Sequence, residues 1–598
     1  MCGIMGIINK KGNAIKKVIE GLEKLEYRGY DSCGIAFLTA NKIETIKTKG
    51  RVKDLKELID TDTKSNIAIG HTRWATHGVA STINAHPHTV GDITIVHNGI
   101  IENYLELKDI LSSKGYSFKS TTDTEVACAL IDFYYQENKD INKAITSFMA
   151  KVKGSYAIVL LCKDIKDKIF VIKKDSPLVI GVNTDTIFIA SDIPTILSEC
   201  SNYYLLNDLE WASISSGKIT FYNNIGKELE KVLIKEKQTF KDGNFTYSKD
   251  KYDHFMLKEI MEQKDTLSNL INYYLEDNKY LDLIDINRYK KIDIVACGSA
   301  YHAGLVGKYL FEEEANVETN VYLASEYRYK KNFLDENSLV IFISQSGETA
   351  DTLACLKKIK ETKAKSLGII NVENSSISLA VDEVIYTKSG SEIAVATTKA
   401  YTSQIAILVL LTLSSLVKHN KSYEIDKIVN ELKNIKYDVI KVLENKDKYK
   451  SIAKKIVDSK KIFFLGRGLD YAIMREGDLK LKEITYLSSE CYAAGELKHG
   501  PISLIDKDTL VIAGNTNKLL YEKTESNLSE VRARGANIIL VTNKGADDSN
   551  TIIIPERSSF ITPMLEVIPL QLISYYTGLL LERDIDKPRN LAKSVTVE

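Results

Sequence analysis

No charge of one sign dominates this sequence. Its 598 residues hold 80 Lys+Arg and 80 Asp+Glu, so no global field draws it to nucleic acid or to a membrane surface, and an anionic ligand has to be held by a local site. Cysteine is sparse and scattered. Cys2, Cys33, Cys128, Cys162, Cys200, Cys297, Cys355 and Cys491 form no CxxC pair and no metal-ligand spacing, which argues against a disulfide framework or a zinc site. The histidines His71, His77, His86, His88 and His97 fall in no HExxH or comparable pattern, so no catalytic metal is expected. A Walker loop is missing, which disfavours a nucleoside triphosphate. The longest apolar run, Ile405–Leu413, is too short to span a bilayer and reads as a buried helix. The opening residues lack the charged-then-apolar order of a signal peptide, so the expected compartment is cytoplasmic.

What is present divides into two textures. The chain is too long for one core, and two to four domains are expected. Up to residue 220 short β-type runs (Cys2–Ile8, Ser32–Leu38, Ile67–His71, Thr94–Asn98, Ser155–Leu161, Lys168–Lys173, Thr186–Ala190) read as antiparallel sheets, interrupted by helical patterns at Lys16–Lys24, Tyr104–Lys114 and Asp123–Gln136. The last opens with Thr122-Asp123-Thr124-Glu125, a cap and an acidic first turn. This is an α+β domain over 2–220. A linker is expected over 221–250, most polar from Lys235 to Asp250. Beyond it, apolar strands alternate with long amphipathic helices, as in a doubly wound α/β sheet. The pattern runs twice. Strand Ile292–Cys297, Gly298, a helix and strand Leu339–Ile343 are echoed by Ile462–Leu465, Gly466, a helix and Thr509–Ala513, which predicts two copies of one unit, 251–430 and 450–585, and a tail 586–598.

Cys2 carries the chemistry of the first half. Removal of the initiator methionine leaves a cysteine whose α-amine, with a pKa of roughly 7.7–8.0, accepts a proton from its own thiol. Alone, Cys2 is equally a small apolar residue opening a strand; its context decides. Tyr27-Arg28-Gly29-Tyr30-Asp31-Ser32, His71-Thr72-Arg73-Trp74-Ala75-Thr76-His77-Gly78, Asn84-Ala85-His86-Pro87-His88, His97-Asn98-Gly99-Ile100-Ile101-Glu102-Asn103 and Thr122-Asp123-Thr124-Glu125 follow in order. The series resembles the class II, N-terminal-nucleophile glutamine amidotransferases. The resemblance implies that Cys2 attacks the glutamine side-chain amide and that Asn98 and the Gly99 N–H bind the oxyanion, a contribution of roughly 3–4 kcal/mol per donor. It implies that Arg73 takes the glutamine α-carboxylate and Asp123 its ammonium. Thr76, His77 and His86 then belong to the glutamine pocket or its closing loop, and Trp74 to the ammonia path. Cys33 stands where the family more often has alanine, and Ala80 where proline is usual.

In the second half, Ser344-Gln345-Ser346-Gly347-Glu348-Thr349 joins an apolar strand to a helix, where backbone N–H groups and the helix dipole make an anion site. A serine-rich helix cap has the same composition. The loop and its flanks, Ala296-Cys297-Gly298-Ser299-Ala300-Tyr301-His302 and Glu392-Ile393-Ala394-Val395-Ala396-Thr397-Thr398-Lys399, resemble the sugar isomerase (SIS) domain, which implies sugar-phosphate contacts by Ser299, Ser344, Gln345, Ser346, Thr349 and Val395. Ala300 removes a hydroxyl that relatives commonly carry. Glu476, Lys480 and Glu483 are spaced i,i+4 and i,i+3 and share a helix face. That spacing also makes a plain salt-bridge ladder, but Glu476–Tyr486 resembles a family segment in which Glu476 and Lys480 bind sugar and Glu483 moves a proton between C1 and C2. His499 then opens the ring, and Lys593, in the closing run Lys587–Glu598, is the Schiff-base amine.

The halves together resemble the isomerizing glutamine–fructose-6-phosphate aminotransferases: an N-terminal-nucleophile sandwich followed by two Rossmann-like SIS domains. That implies L-glutamine and D-fructose 6-phosphate as substrates, glucosamine 6-phosphate as product at the entry to amino-sugar synthesis, no metal or organic cofactor, and at least a homodimer with the sugar site partly shared between subunits. Other class II amidotransferases would need flavin, iron–sulfur, pyrophosphatase or phosphoribosyltransferase motifs, and none is seen. A non-catalytic sugar-phosphate sensor would not need Glu483, His499 and Lys593.

Overall fold

A computed structural model describes residues 2–39, 42–60, 62–74, 78–197, 199–235, 248–421, 424–546 and 548–596. The chain divides into two compact units, Met1–Tyr247 with Ala592–Glu598, and Ser248–Leu591.

Two antiparallel sheets, of eight and seven strands, make the first unit. Strict alternation along the central strands explains how they stack. In Gly3–Asn9, Ile4 and Ile8 enter one apolar cluster while Met5 and Ile7 enter another. In Gly154–Cys162 of the other sheet, Ala157, Val159 and Leu161 join Ile4 and Ile8, whereas Tyr156, Ile158 and Leu160 face helices Asp123–Asn138 and Ile141–Lys151. Side chains of period two therefore place the sheets face to face with helices outside, a four-layer sandwich. The expected cap is present: Thr122 Oγ1 accepts from Glu125 N at 3.3 Å. Strands Ile43–Lys49 and Glu210–Ser215 were not legible, being half-polar edges or short hairpin arms.

The stretch expected as linker needs correction at its start. Lys218–Asn223, Glu228–Leu229 and Ile234–Lys235 are strands of the two sheets; the last two are edge strands of two residues each, too short to show a pattern, and Lys218–Asn223 pairs between Glu210–Ser215 and Glu228–Leu229. The rest of that expectation, 236–247, lies outside the described residues.

The second unit holds two five-stranded, wholly parallel sheets of identical order, second–first–third–fourth–fifth. The copies coincide at an offset of 170 residues: Gly298 and Gly468 open equivalent helices and share φ of +55° and +56°. The helix Lys399–Lys418, apolar and long enough to cross a membrane by composition, is packed inside this unit's core.

Candidate active sites

Pairing of Gly3 with Thr72 sets Cys2 beside the end of strand Ile67–Arg73. There Trp74 N donates to Cys2 Sγ at 3.4 Å, and Sγ in turn faces Trp74 O at 3.6 Å. Burial pushes the thiol pKa up, against the Trp74 N–H and Arg73, which favour the thiolate. The facing sheet contributes strand Ile93–Ile101. Its Asn98 Nδ2 donates to Cys2 O at 3.0 Å. Gly99 follows with φ of +131°, and a Cβ there would stand 2.1 Å from Ser155 O, so only glycine fits.

Behind Asn98 lies a buried stack of histidines. His71 Nε2 lies 3.1 Å from Asn98 Oδ1 and 3.0 Å from His97 O. Both partners are acceptors, so Nε2 carries the proton. Burial lowers the His71 pKa to about 3 and holds His86 and His88 well below the usual imidazole range. The His86 ring stacks on His71 at 4.1 Å and its Nδ1 accepts from His97 N. His86 is therefore part of the wall behind Asn98. Among the described residues, no three His, Cys, Asp or Glu side chains converge as metal ligands. Arg73 is buried and donates to Gly78 O at 3.0 Å. Asp123 Oδ2 accepts from Ile101 N at 2.8 Å. Thr76 and His77 lie outside the described residues.

In the second unit the first and third strands of copy one, Lys291–Ala296 and Ser338–Ser344, are neighbours whose following helices leave in opposite directions along the sheet. Their C-terminal ends form the crevice where open α/β sheets bind ligands. Ser299 follows one strand and Ser344–Thr349 the other. Ser344 Oγ accepts from Gly347 N at 3.0 Å and meets Thr349 Oγ1 at 3.1 Å; Ser346 Oγ accepts from Glu348 N. Gly347 has φ of +66°, and a Cβ would collide with Ser375 Oγ, which lets the turn close. Gln345 is half-buried and its carbonyl accepts from Asn371 N. Val395 N donates to Asp586 O at 3.0 Å.

The equivalent loop of copy two is filled from within. Asp470, at the offset position of Ala300, accepts from Thr516 Oγ1, Thr516 N and Asn517 N at 2.5, 3.0 and 3.4 Å. Beside it, burial and Asp470 raise the pKa of Glu566 well above the carboxylate range.

Helix Leu469–Thr485 of copy two leans its acidic face on helix Gly298–Tyr309 of copy one. Glu476 Oε1 accepts from Ser299 Oγ at 2.8 Å, and Oε2 lies 2.8 Å from His302 Nδ1. Lys480 Nζ reaches Glu483 Oε2 at 2.5 Å, Ser299 Oγ at 3.1 Å and Glu476 Oε1 at 3.4 Å. Burial works against the charge on Lys480, but Glu476 and Glu483 outweigh it and its pKa stands above an ordinary lysine's. Glu476 and Lys480 are 0% exposed, Glu483 21%. Glu476, expected as a sugar contact, thus stands behind the site, and Glu483 alone of the three reaches its surface. His302 has no role that the motif alone reveals; its i,i+3 spacing from Ser299 is the feature that sets both on Glu476. His499 is exposed at the end of the short turn Glu496–His499 and is not part of this network. Lys593 is half-buried in the tail from Ala592 that groups with the first unit.

Known proteins resemble this chain throughout. The glutamine amidotransferase domain family matches residues 71–198, and the SIS domain family matches 285–414 and 455–581. A glutamine–fructose-6-phosphate aminotransferase [isomerizing] of Clostridium tetani is 46% identical over 623 residues, covering 100% of both chains. One from Caldanaerobacter subterraneus subsp. tengcongensis is 46% identical over 615 residues, again covering 100% of both. The solved C-terminal domain of glucosamine-fructose-6-phosphate aminotransferase from Francisella tularensis is 41% identical with a TM-score of 0.54, covering 57% of this chain and 100% of that one.

Proposed function

The chain belongs to the isomerizing glutamine–fructose-6-phosphate aminotransferase family and makes glucosamine 6-phosphate and glutamate from fructose 6-phosphate and glutamine; we propose that it does so with the residues described above. Cys2 Sγ attacks the glutamine amide carbon, its proton passing through the α-amine to the departing nitrogen. Asn98 Nδ2 and the Gly99 N–H take the oxyanion, and water then releases glutamate from the thioester. Arg73 and Asp123 hold the two ends of the glutamine backbone, and Trp74 gates the path that ammonia takes. Ammonia passes within the protein to the isomerase half.

There the Ser344–Thr349 loop holds the phosphate and His499 opens the ring. Lys593 condenses with the C2 ketone, losing water, and ammonia displaces it to leave the C2 imine. Glu483 takes the C1 proton and returns one to C2, giving the amino aldose. Lys480 is no rival for Lys593, because its neighbours keep it protonated. The observation that carries this reading is the pairing, in one chain, of a thiol beside an amide donor with a lysine-held carboxylate at the edge of a strand-end crevice. The reaction is placed in the cytoplasm, in an assembly of at least two chains that share the sugar site.

Borohydride trapping with fructose 6-phosphate tests the least conspicuous assignment. A sugar adduct maps to Lys593 and disappears in Lys593→Arg, together with synthesis; an adduct on another lysine refutes it.

A further inference from the structure

Lys480 has three protons and three acceptors, two of them carboxylates that compete for one charge. It sits closer to Glu483 Oε2 (2.5 Å) than to Glu476 Oε1 (3.4 Å), although Glu476 is the more deeply buried. A wholly buried carboxylate draws a cation strongly unless other donors satisfy it. Glu476 has such donors. Ser299 Oγ–H takes one oxygen and His302 Nδ1–H the other, each at 2.8 Å, both from the first turns of helix Gly298–Tyr309.

We infer that His302 is a positioning residue for the isomerisation: by engaging the far oxygen of Glu476, it leaves the Lys480 ammonium to Glu483. The inference rests on Glu483 as the carboxylate that moves the proton. The groups acting on this pair come from every neighbouring element. Glu392 adds a third negative field at Lys480. Tyr401 feels Glu476 and Glu566. Tyr301, which carries Arg475 over its ring at 5.4 Å, lies against His302.

Loss of the His302 donor leaves Glu476 with Ser299 and Lys480 alone, so Lys480 moves toward it and away from Glu483. The contact that fixes the Glu483 carboxylate at the edge of the crevice is then lost, which slows proton transfer without removing a sugar contact.

The test is ammonia-dependent synthesis by the full chain, which bypasses Cys2. In His302→Ala kcat falls about tenfold, with KM for fructose 6-phosphate within about twofold. His302→Asn, whose amide can still donate, restores most of kcat. An unchanged kcat, a KM that rises as far as kcat falls, or no rescue by His302→Asn overturns the inference; if His302→Ala does not fold, His302→Phe, which fills the space without a donor, takes its place against His302→Asn. Glu483→Gln is run alongside. If it stays active, the reading of Glu483 has failed, and His302 falls with it; if it is dead while the His302 variants keep the wild-type kcat, His302 alone is refuted.

Discussion

The Nε2–H of His71 is accepted by Asn98 Oδ1 at 3.1 Å, and that contact decides which way the Asn98 amide points. With its oxygen held, the amide presents Nδ2 toward Cys2. His71→Ala removes the constraint while leaving Cys2 and Asn98 in place. Glutaminase kcat should fall roughly five- to tenfold, the value of one hydrogen bond, against roughly 10²–10³-fold for Asn98→Ala. Steady-state glutamine hydrolysis distinguishes the two, and equal losses would refute the orienting role.

The same histidines make the first unit sensitive to acid. His71, His86 and His88 are held below their usual pKa by burial, so they bind fewer protons folded than unfolded. Their stability is fully present above pH ~6.5 and is lost as pH falls toward the folded value of about 3 for His71, by at most about 1.4 kcal/mol per pH unit for each histidine. Thermal inactivation of the glutaminase should therefore accelerate steeply between pH 7 and 5. Synthesis from ammonia, which needs only the isomerase half, should decline less.

Gly99→Ala forces a side chain into Ser155 O at a φ of +131°. The strain of such a backbone is on the order of 1–3 kcal/mol, and relief moves the N–H proposed to bind the oxyanion. Glutamine hydrolysis should be lost, with ammonia-dependent synthesis retained.

Ser346→Ala combined with Thr349→Val removes two hydroxyls of the loop at the strand-end crevice. Affinity for fructose 6-phosphate should drop by roughly tenfold or more, at about 1 kcal/mol per hydrogen bond, whereas alkylation of Cys2 by a glutamine analogue proceeds as before.

Lys480→Met leaves Glu476 buried without its cation. Breaking a buried pair typically costs about 3–5 kcal/mol, so the melting temperature should fall and synthesis should cease together. A variant of wild-type stability would mean that the pair contributes nothing to the fold.

Much of this was readable from the residues. Central strands such as Gly154–Cys162 announced themselves because both faces are buried and the run from Tyr156 to Cys162 is apolar throughout. The edge strands Glu228–Leu229 and Ile234–Lys235 did not, since two residues are too few to show alternation. Motif order located Cys2, Asn98 and Ser344–Thr349, but no motif says which side of a carboxylate is buried. The retreat of Glu476 behind Glu483 and the role left to His302 depend on how two helices from different repeats meet. Spacing within either helix carries no trace of that meeting.

Asp470 gives the repeat its asymmetry. Two copies of a fold begin with two equivalent sockets, and here one is stoppered by the chain's own carboxylate. The stoppered copy keeps its skeleton and lends a helix to its twin. If Ser344–Thr349 holds the phosphate as proposed, an inhibitor built around a phosphate mimic meets one receptive loop in the pair, and a ligand designed to bridge the repeats by their pseudosymmetry would find its second handhold already taken.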